Sequence, residues 1–217
     1  TLVKIAQLDP ETIELHFSLG NLFRRRGETE RAIRVHQHLA NRDDLKPRDR
    51  DHAAYELGRD FLRAGLLDRA EASLIRVGQG KFAAPAKESL LEMYQIERDW
   101  KKAIIAATEL ETLQGKSHHT EIAQFYCELS QEALLAKDLT GAEHAIQQAL
   151  HAVPNHTRAL ILQGDYLMAI DEPAQAIEAW GVVASSHPAY MHLIADRWML
   201  AHTAIGKAEA GLDRLCE

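Results

Sequence analysis

Residues 56–71, ELGRDFLRAGLLDRAE, repeat the pattern of residues 16–33, HFSLGNLFRRRGETERAI. In both stretches a Leu-Gly pair is followed by a second glycine seven residues later and then, after a short turn, by an Arg-Ala pair. Apolar residues before the second glycine recur at helical spacing. The second glycine marks a helix end, because glycine adopts the left-handed cap conformation without strain. The pattern therefore predicts two helices joined by a tight turn.

The alanine of this pattern recurs along the chain, at Ala32, Ala70, Ala103, Ala142 and Ala176. The intervals of 38, 33, 39 and 34 residues lie close to the 34-residue period of tetratricopeptide helix–turn–helix units. Strand signals are nearly absent. We therefore predict an all-α fold, a right-handed superhelical solenoid of tetratricopeptide repeats whose stacked hairpins share a continuous core.

The spacing also predicts how the chain is divided. Five repeats are expected at about residues 13–46, 51–84, 84–117, 123–156 and 157–190, with a degenerate or partial sixth at residues 191–217. Residues 1–12 are interpreted as the end of a preceding repeat, so we expect the chain to be cut from a longer protein. The two long intervals contain inserted material at residues 41–48 and 114–119, expected in loops on one edge of the solenoid. Small residues at Gly20, Gly58 and Gly164 are expected where the second helix of a unit crosses the first.

The bulk properties exclude several functional classes. A formal net charge of −7 over 217 residues argues against general nucleic-acid binding, which needs a strongly basic face. Two cysteines are too few for a disulfide framework. The sequence contains no run of 18 apolar residues, so no segment of it is expected to span or directly contact a membrane.

Catalytic and metal-binding motifs are not found in the sequence. His36 and His38, like the adjacent His118 and His119, lack the separation of three or four residues that places two ligands on one helix face. Cys127 lies on an apolar helix and is interpreted as a buried structural cysteine. A glycine-rich phosphate loop and a serine elbow are also lacking. We therefore predict no enzymatic activity, no metal site and no cofactor in this fragment.

Three segments are more specific than a generic repeat, namely residues 16–37, 56–71 and 121–129. Together they resemble the lipopolysaccharide assembly protein B family of Gram-negative bacteria. The resemblance is strong through about Leu129 and continues more loosely to the end of the chain. It is confined to the central repeat region of that family.

This resemblance implies a function that the repeats alone do not. Members of the family carry an N-terminal membrane helix, a repeat array on the cytoplasmic side of the inner membrane, and a C-terminal rubredoxin-like metal domain. They are adaptors that promote degradation of the deacetylase LpxC by the protease FtsH, and so regulate lipid A and lipopolysaccharide synthesis. The metal domain and the membrane helix are expected to lie outside this fragment. FtsH, LpxC and other lipopolysaccharide assembly proteins are therefore the expected partners.

A protein-binding concave face is predicted from the positions of the first helices. Counted from the crossing glycine, the inner surface consists of Phe17, Asn21, Arg24, Arg25, Tyr55, Arg59, Leu62 and Arg63. Arginine forks hold carboxylates and aromatic side chains supply apolar contact area, so an extended peptide or helix with acidic groups would fit. The alternative is that the arginines are solvated or paired with Glu28, Glu56 and Asp60.

Two other functions remain compatible with the repeats. One is a scaffold in a different multiprotein complex, and the other is a regulatory repeat domain of a larger enzyme. A homodimer formed through an open end of the array is a further option, because an uncapped solenoid end exposes apolar surface.

Overall fold

A computed structural model of the chain describes residues 10–216, with side-chain surroundings for residues 12–213. These residues form α-helices and a short 3₁₀ helix and no strand, which confirms the all-α prediction. They divide into two compact units, with the boundary between Lys116 and Ser117. None of the helices described is both long enough and apolar enough to cross a membrane.

Each unit contains three helical hairpins. Unit 1 consists of α1 (Pro10–Arg25), α2 (Thr29–Ala40), α3 (Pro47–Arg63), α4 (Leu67–Ile75), α5 (Ala83–Glu97) and α6 (Trp100–Gln114). Unit 2 consists of α7 (His119–Leu135), α8 (Leu139–Ala152), α9 (Thr157–Ala169), α10 (Pro173–Ser186), a 3₁₀ helix (Pro188–Leu193), α11 (Ala195–Ala204) and α12 (Ala208–Cys216). This succession of paired helices, each pair following the sequence period, is that of a tetratricopeptide-repeat solenoid.

The turn inside each hairpin has the same hydrogen-bonded form. In the first hairpin the amide of Glu28 donates to the carbonyl of Phe23 at 2.9 Å, across Gly27, whose φ is +78°. This is the Schellman arrangement, which satisfies carbonyls left free at a helix end. The equivalent bond is donated in the other hairpins by Leu66, Asp99, Asp138, Glu172 and Lys207. Gly27 and Gly65 are thus helix-ending glycines, as predicted.

The predicted crossing points are also observed. The five periodic alanines have no exposed surface. A Cβ atom added to Gly20 would lie 2.3 Å from Nε2 of His36, and one added to Gly164 would lie 2.1 Å from Nε1 of Trp180. Each glycine therefore makes room for one particular side chain of the second helix. Trp180 is completely buried there.

Two helices begin earlier than the predicted repeats. Helix α3 begins at Pro47 and α7 at His119, four residues before the expected starts at 51 and 123. Proline is well tolerated in the first helical turn, where its missing N–H has no intrahelical partner, so Pro47 starts the helix rather than ending the insertion. Residues 1–9 of the segment interpreted as a preceding repeat lie outside the described residues, and α1 already begins at Pro10. The division into repeats otherwise stays a prediction.

Candidate functional site

A buried network of charged side chains joins the first two hairpins of unit 1. Arg24 of α1 donates to the carbonyl oxygen of Glu56 at 3.2 Å and to Oδ1 of Asp60 at 2.7 Å, and it also contacts the Glu56 carboxylate and Asn21. Oδ2 of Asp60 lies 2.6 Å from Nδ1 of His36 in α2. Asp60 and His36 are fully buried. The network therefore ties α1, α2 and α3 together.

Glu56 is held in its charged form by this network. Burial alone would raise the pKa of its carboxyl group, but hydrogen bonding from His52 and the charge and hydrogen bond of Arg24 outweigh burial and lower the pKa to about 2. The carboxylate thus contributes stability above its ordinary pKa of 4.5, and that contribution is lost as the pH falls through about 2.

We expect this carboxylate to add an acid-sensitive contribution to the stability of unit 1. Near neutral pH the protein should exceed its Glu56→Gln variant in free energy of unfolding by roughly 3 kcal/mol, and the difference should disappear toward pH ~2. Chemical denaturation at a series of pH values measures this difference. Glu92→Gln, which changes an exposed carboxylate of α5, is the control. A Glu56→Gln difference that stays constant over the whole range would contradict the assignment.

Phe17 is not available to a partner, which corrects the prediction for this residue. Its ring is 2% exposed and stacks on His52 of α3, with centroids 3.8 Å apart. Its position relative to the crossing glycine predicts that Phe17 lies on the inner surface, but its ring packs against the second hairpin instead.

Arg24 is likewise occupied, with only 12% of its side chain exposed. For Arg24 the alternative of pairing with Glu56 and Asp60 is therefore the correct one. Its guanidinium group stabilises the fold and is not free to hold a client.

The other predicted residues of this face lie where a partner could reach them. Arg25, Arg59 and Arg63 are exposed, while Asn21, Tyr55 and Leu62 are half-buried. The guanidinium of Arg59 lies 5.5 Å from the ring centroid of Tyr55. We call Arg25, Arg59 and Arg63 the basic face. Its role in binding stays a prediction.

An aromatic stack that the sequence does not predict lies beside Tyr55. His52 is sandwiched between Phe17 and Phe82, with centroid distances of 3.8 and 4.3 Å. Phe82 also lies 5.6 Å from Tyr55. His52 is separated from Tyr55 by a turn of helix, which could have suggested a shared face. Phe82 precedes α5 in a loop, where no periodic signal marks it.

Unit 2 contains a large groove that no local pattern of the sequence predicts. The groove has a volume of about 910 Å³ and lies along the first helices α7, α9 and α11, with the 3₁₀ helix at one side. Its apolar lining includes Leu134, Leu135, Ile161, Leu162, Tyr190 and Leu193. Leu135 is 79% exposed and Leu193 is 48% exposed. We call this the unit 2 groove.

Charged side chains flank the apolar lining of the unit 2 groove. Arg158 pairs with Glu128 and donates to Oε1 of Gln131 at 2.6 Å. Arg197 donates to Oδ1 of Asp165 at 2.7 Å. Burial raises the pKa of Asp165, although Arg197 opposes the shift. The groove thus combines apolar area with fixed polar groups, as binding grooves for proteins do.

Cys127 lies behind this groove, with its Sγ 3.7 Å from Nδ1 of His156. Burial raises the pKa of the thiol to about 12 and lowers the pKa of His156. A protonated thiol is a weak nucleophile, so the geometry favours the structural role predicted for Cys127. Residues 12–213 contain no group of three His, Cys, Asp or Glu side chains arranged to hold a metal ion.

Comparison with known proteins identifies relatives over most of the chain. It is 40% identical over 172 residues to lipopolysaccharide assembly protein B of Escherichia coli K12, a match covering 79% of this chain and 44% of that protein. The protein of the same name from Haemophilus influenzae is 36% identical over 182 residues, covering 82% and 45%. The chain therefore spans less than half the length of these curated relatives.

No protein-family model matches the chain. Solved structures similar to it include MamA from Desulfovibrio magneticus, with a TM-score of 0.42, 17% identity, and coverage of 82% of this chain and 96% of that one. Another is PilF of Pseudomonas aeruginosa, with a TM-score of 0.42, 16% identity, and coverage of 94% and 89%. The relatives confirm the resemblance to lipopolysaccharide assembly protein B: curated homologues of that name are 36–40% identical over 79–82% of this chain, which is consistent with the central region of that family.

Proposed function

We propose that the chain is a non-enzymatic adaptor that holds a client protein in the unit 2 groove. The observation that carries the proposal is the groove itself, whose volume of about 910 Å³ lies in the upper range of ligand sites. Tyr190, Leu193 and Leu135 expose apolar surface along it. Clustered apolar side chains with a polar rim are typical of a surface that a partner covers.

The homologues suggest the setting in which the adaptor acts. Their name supports a role in lipopolysaccharide assembly. The resemblance implies, more specifically, that LpxC is the client and FtsH the protease, on the cytoplasmic side of the inner membrane. Holding a client near a protease raises its effective concentration without new chemistry, so the repeat region need only bind.

Substitution of the exposed groove leucines tests the proposal. Leu135→Asp and Leu193→Asp place a charge on apolar contact surface, and together they should weaken binding of LpxC to the purified chain by about tenfold or more. Both positions are exposed, so helicity measured by circular dichroism should not change. Biolayer interferometry with immobilised chain measures the affinity, and the FtsH cytoplasmic domain is assayed in parallel.

Leu200→Asp is the matched control, because Leu200 is 62% exposed in α11 and does not line the groove. The affinity of the Leu200→Asp variant for LpxC should match that of the unchanged chain. If the groove pair and the control bind LpxC equally well, the groove is not the client site. If neither LpxC nor FtsH binds at all, the scaffold function in another complex is favoured.

The basic face of unit 1 gives a separate prediction. Reversing the charge of Arg25, Arg59 and Arg63 to glutamate should slow association with an acidic partner and remove its salt dependence, because exposed charges act mainly through long-range attraction. Association rates at low and high salt measure this effect. Arg34→Glu, a reversal on exposed α2 surface, is the control. Equal association rates for the triple variant and the control would show that the basic face does not contribute to association with this partner.

A further inference from the structure

A smaller cavity, of about 400 Å³, lies in unit 1 where the inserted residues 41–48 follow α2. Three arginines line it, namely Arg42 of the insertion, Arg50 in the first turn of α3, and Arg76 at the C-terminal end of α4. Asp43 is the one acid among its described lining residues. Three arginines thus line one cavity of a protein whose net charge is −7. The client groove and the basic face do not involve these residues.

Two of the arginines keep hydrogen-bond donors available. Arg50 donates only through Nη2, to the carbonyls of Asp43 and Leu45, both at 3.3 Å. Its Nε and Nη1 are therefore unused among residues 12–213. The side chain of Arg76 makes neither a hydrogen bond nor an ion pair with any residue in that range. An isolated guanidinium group presents five donors in a planar fork that matches an oxyanion.

Contacts with the core and hydrogen bonds hold the insertion that borders the cavity. Leu45 is 5% exposed and anchors the segment to the core. Nε of Arg42 donates to Oδ1 of Asp44 at 2.9 Å, and Arg50 secures two carbonyls of the segment. A site that is already ordered loses little conformational entropy when a ligand binds.

The basic lining continues into an adjoining cavity of about 190 Å³. Asn41 and Arg76 line both cavities. The second cavity adds Arg69, whose guanidinium lies 4.3 Å from the ring centroid of Phe61 and is oriented by it. A ligand larger than a single phosphate could therefore extend toward a further cation.

Helix electrostatics explain only part of this arrangement. Arg76 follows the last turn of α4, where the negative end of a helix favours a cation. Arg50 is in the opposite situation, because it lies in the first turn of α3, where the positive end of the helix disfavours a cation. Helix α3 also has no side-chain cap at its N-cap residue, Lys46. A bound anion would relieve this repulsion.

We propose that this cavity binds the phosphate group of a phosphate monoester, held by the guanidinium forks of Arg50 and Arg76. A tetrahedral dianion accepts bidentate hydrogen bonds from two arginines and carries enough charge to offset the nearby Asp43 carboxylate. A volume of about 400 Å³ lies within the range of small-molecule sites and leaves room for the organic part of the ligand. This proposal does not depend on the adaptor function.

Titration of the ¹⁵N-labelled chain with inorganic phosphate at constant ionic strength tests the site. Amide signals of residues 41–46, of residues 48–50 and of Arg76 should shift in a saturable way, and chloride at the same ionic strength should leave them unchanged. Arg76→Gln removes a guanidinium group that has no hydrogen-bond or ion-pair partner among residues 12–213, so the fold should be retained. Phosphate binding should weaken by about tenfold, the effect of losing a charge-assisted hydrogen bond. Arg34→Gln, on exposed α2 surface outside both cavities, should bind as tightly as the unchanged chain.

Two further probes distinguish the source of the phosphate. Glycerol 3-phosphate represents a soluble monoester, and vesicles containing phosphatidic acid represent a lipid headgroup. Tighter binding of either than of inorganic phosphate, lost in Arg76→Gln, supports the site and identifies the source. The proposal is overturned if phosphate causes no saturable shift, or if Arg76→Gln and Arg34→Gln titrate alike.

Discussion

Replacement of Asp60 with alanine is expected to lower the free energy of unfolding of unit 1 by about 3–5 kcal/mol. The fully buried carboxylate accepts a hydrogen bond from Arg24 at 2.7 Å and lies 2.6 Å from Nδ1 of His36. Without it, Arg24 keeps only Glu56 as an acidic partner. His36 loses its single hydrogen bond, since its Nε2 already has no partner within the described structure. Urea denaturation followed by circular dichroism measures the loss.

Glu92→Ala provides the comparison for this experiment. Glu92 is an exposed carboxylate of α5 in the same unit, so its removal should change the free energy of unfolding by no more than about 0.5 kcal/mol. A loss of less than about 1 kcal/mol for Asp60→Ala would show that the network does not stabilise unit 1 as described.

Replacement of Trp180 with alanine is expected to lower the free energy of unfolding of unit 2 by about 3–5 kcal/mol. The indole is completely buried among Leu160, Val183 and Trp198. Its Nε1–H donates to the carbonyl of Ile161 at 3.0 Å, so the substitution both opens a cavity and removes this hydrogen bond. Thermal or chemical unfolding of the purified chain measures the change.

A double-mutant cycle sharpens the test of this crossing. Gly164→Ala should destabilise the unchanged protein, because its Cβ would lie 2.1 Å from Nε1 of Trp180, but should be tolerated once Trp180 is alanine. Leu200→Ala, at a position 62% exposed in the same unit, should have little effect. Additive effects of the two substitutions at the crossing would contradict the packing.

The hairpin turns show where sequence reasoning succeeds and where it fails. Gly27 and Gly65 were recognised as helix ends, and both have positive φ. The corresponding residues of three other hairpins, Arg98, Lys137 and Asp171, have the same left-handed conformation without being glycine. The strain of roughly 1–2 kcal/mol at such a residue is offset by the hydrogen bonds that form in the turn. The residue type at these positions therefore does not reveal the helix end.

The candidate sites are harder to predict from the sequence than the hairpin turns, because they depend on contacts between helices. The sequence allowed Arg24 to be either a groove residue or a partner of Glu56 and Asp60, and only the packing of α3 against α1 decides between them. His36 could not be placed in the network, because its partner is 24 residues away. The unit 2 groove combines Leu135, Ile161 and Leu193 from separate elements, so no local pattern could predict it.

The crossing glycines carry a consequence for engineering with these hairpins. Gly20 faces an imidazole, Gly58 faces Leu74, and Gly164 faces an indole. Although the hairpins share one pattern, each has its own matched pair, so they are not interchangeable modules. A chimaera that exchanges second helices between hairpins, or an averaged consensus repeat, would combine a space with the wrong side chain. Such designs should transfer both helices of a hairpin together.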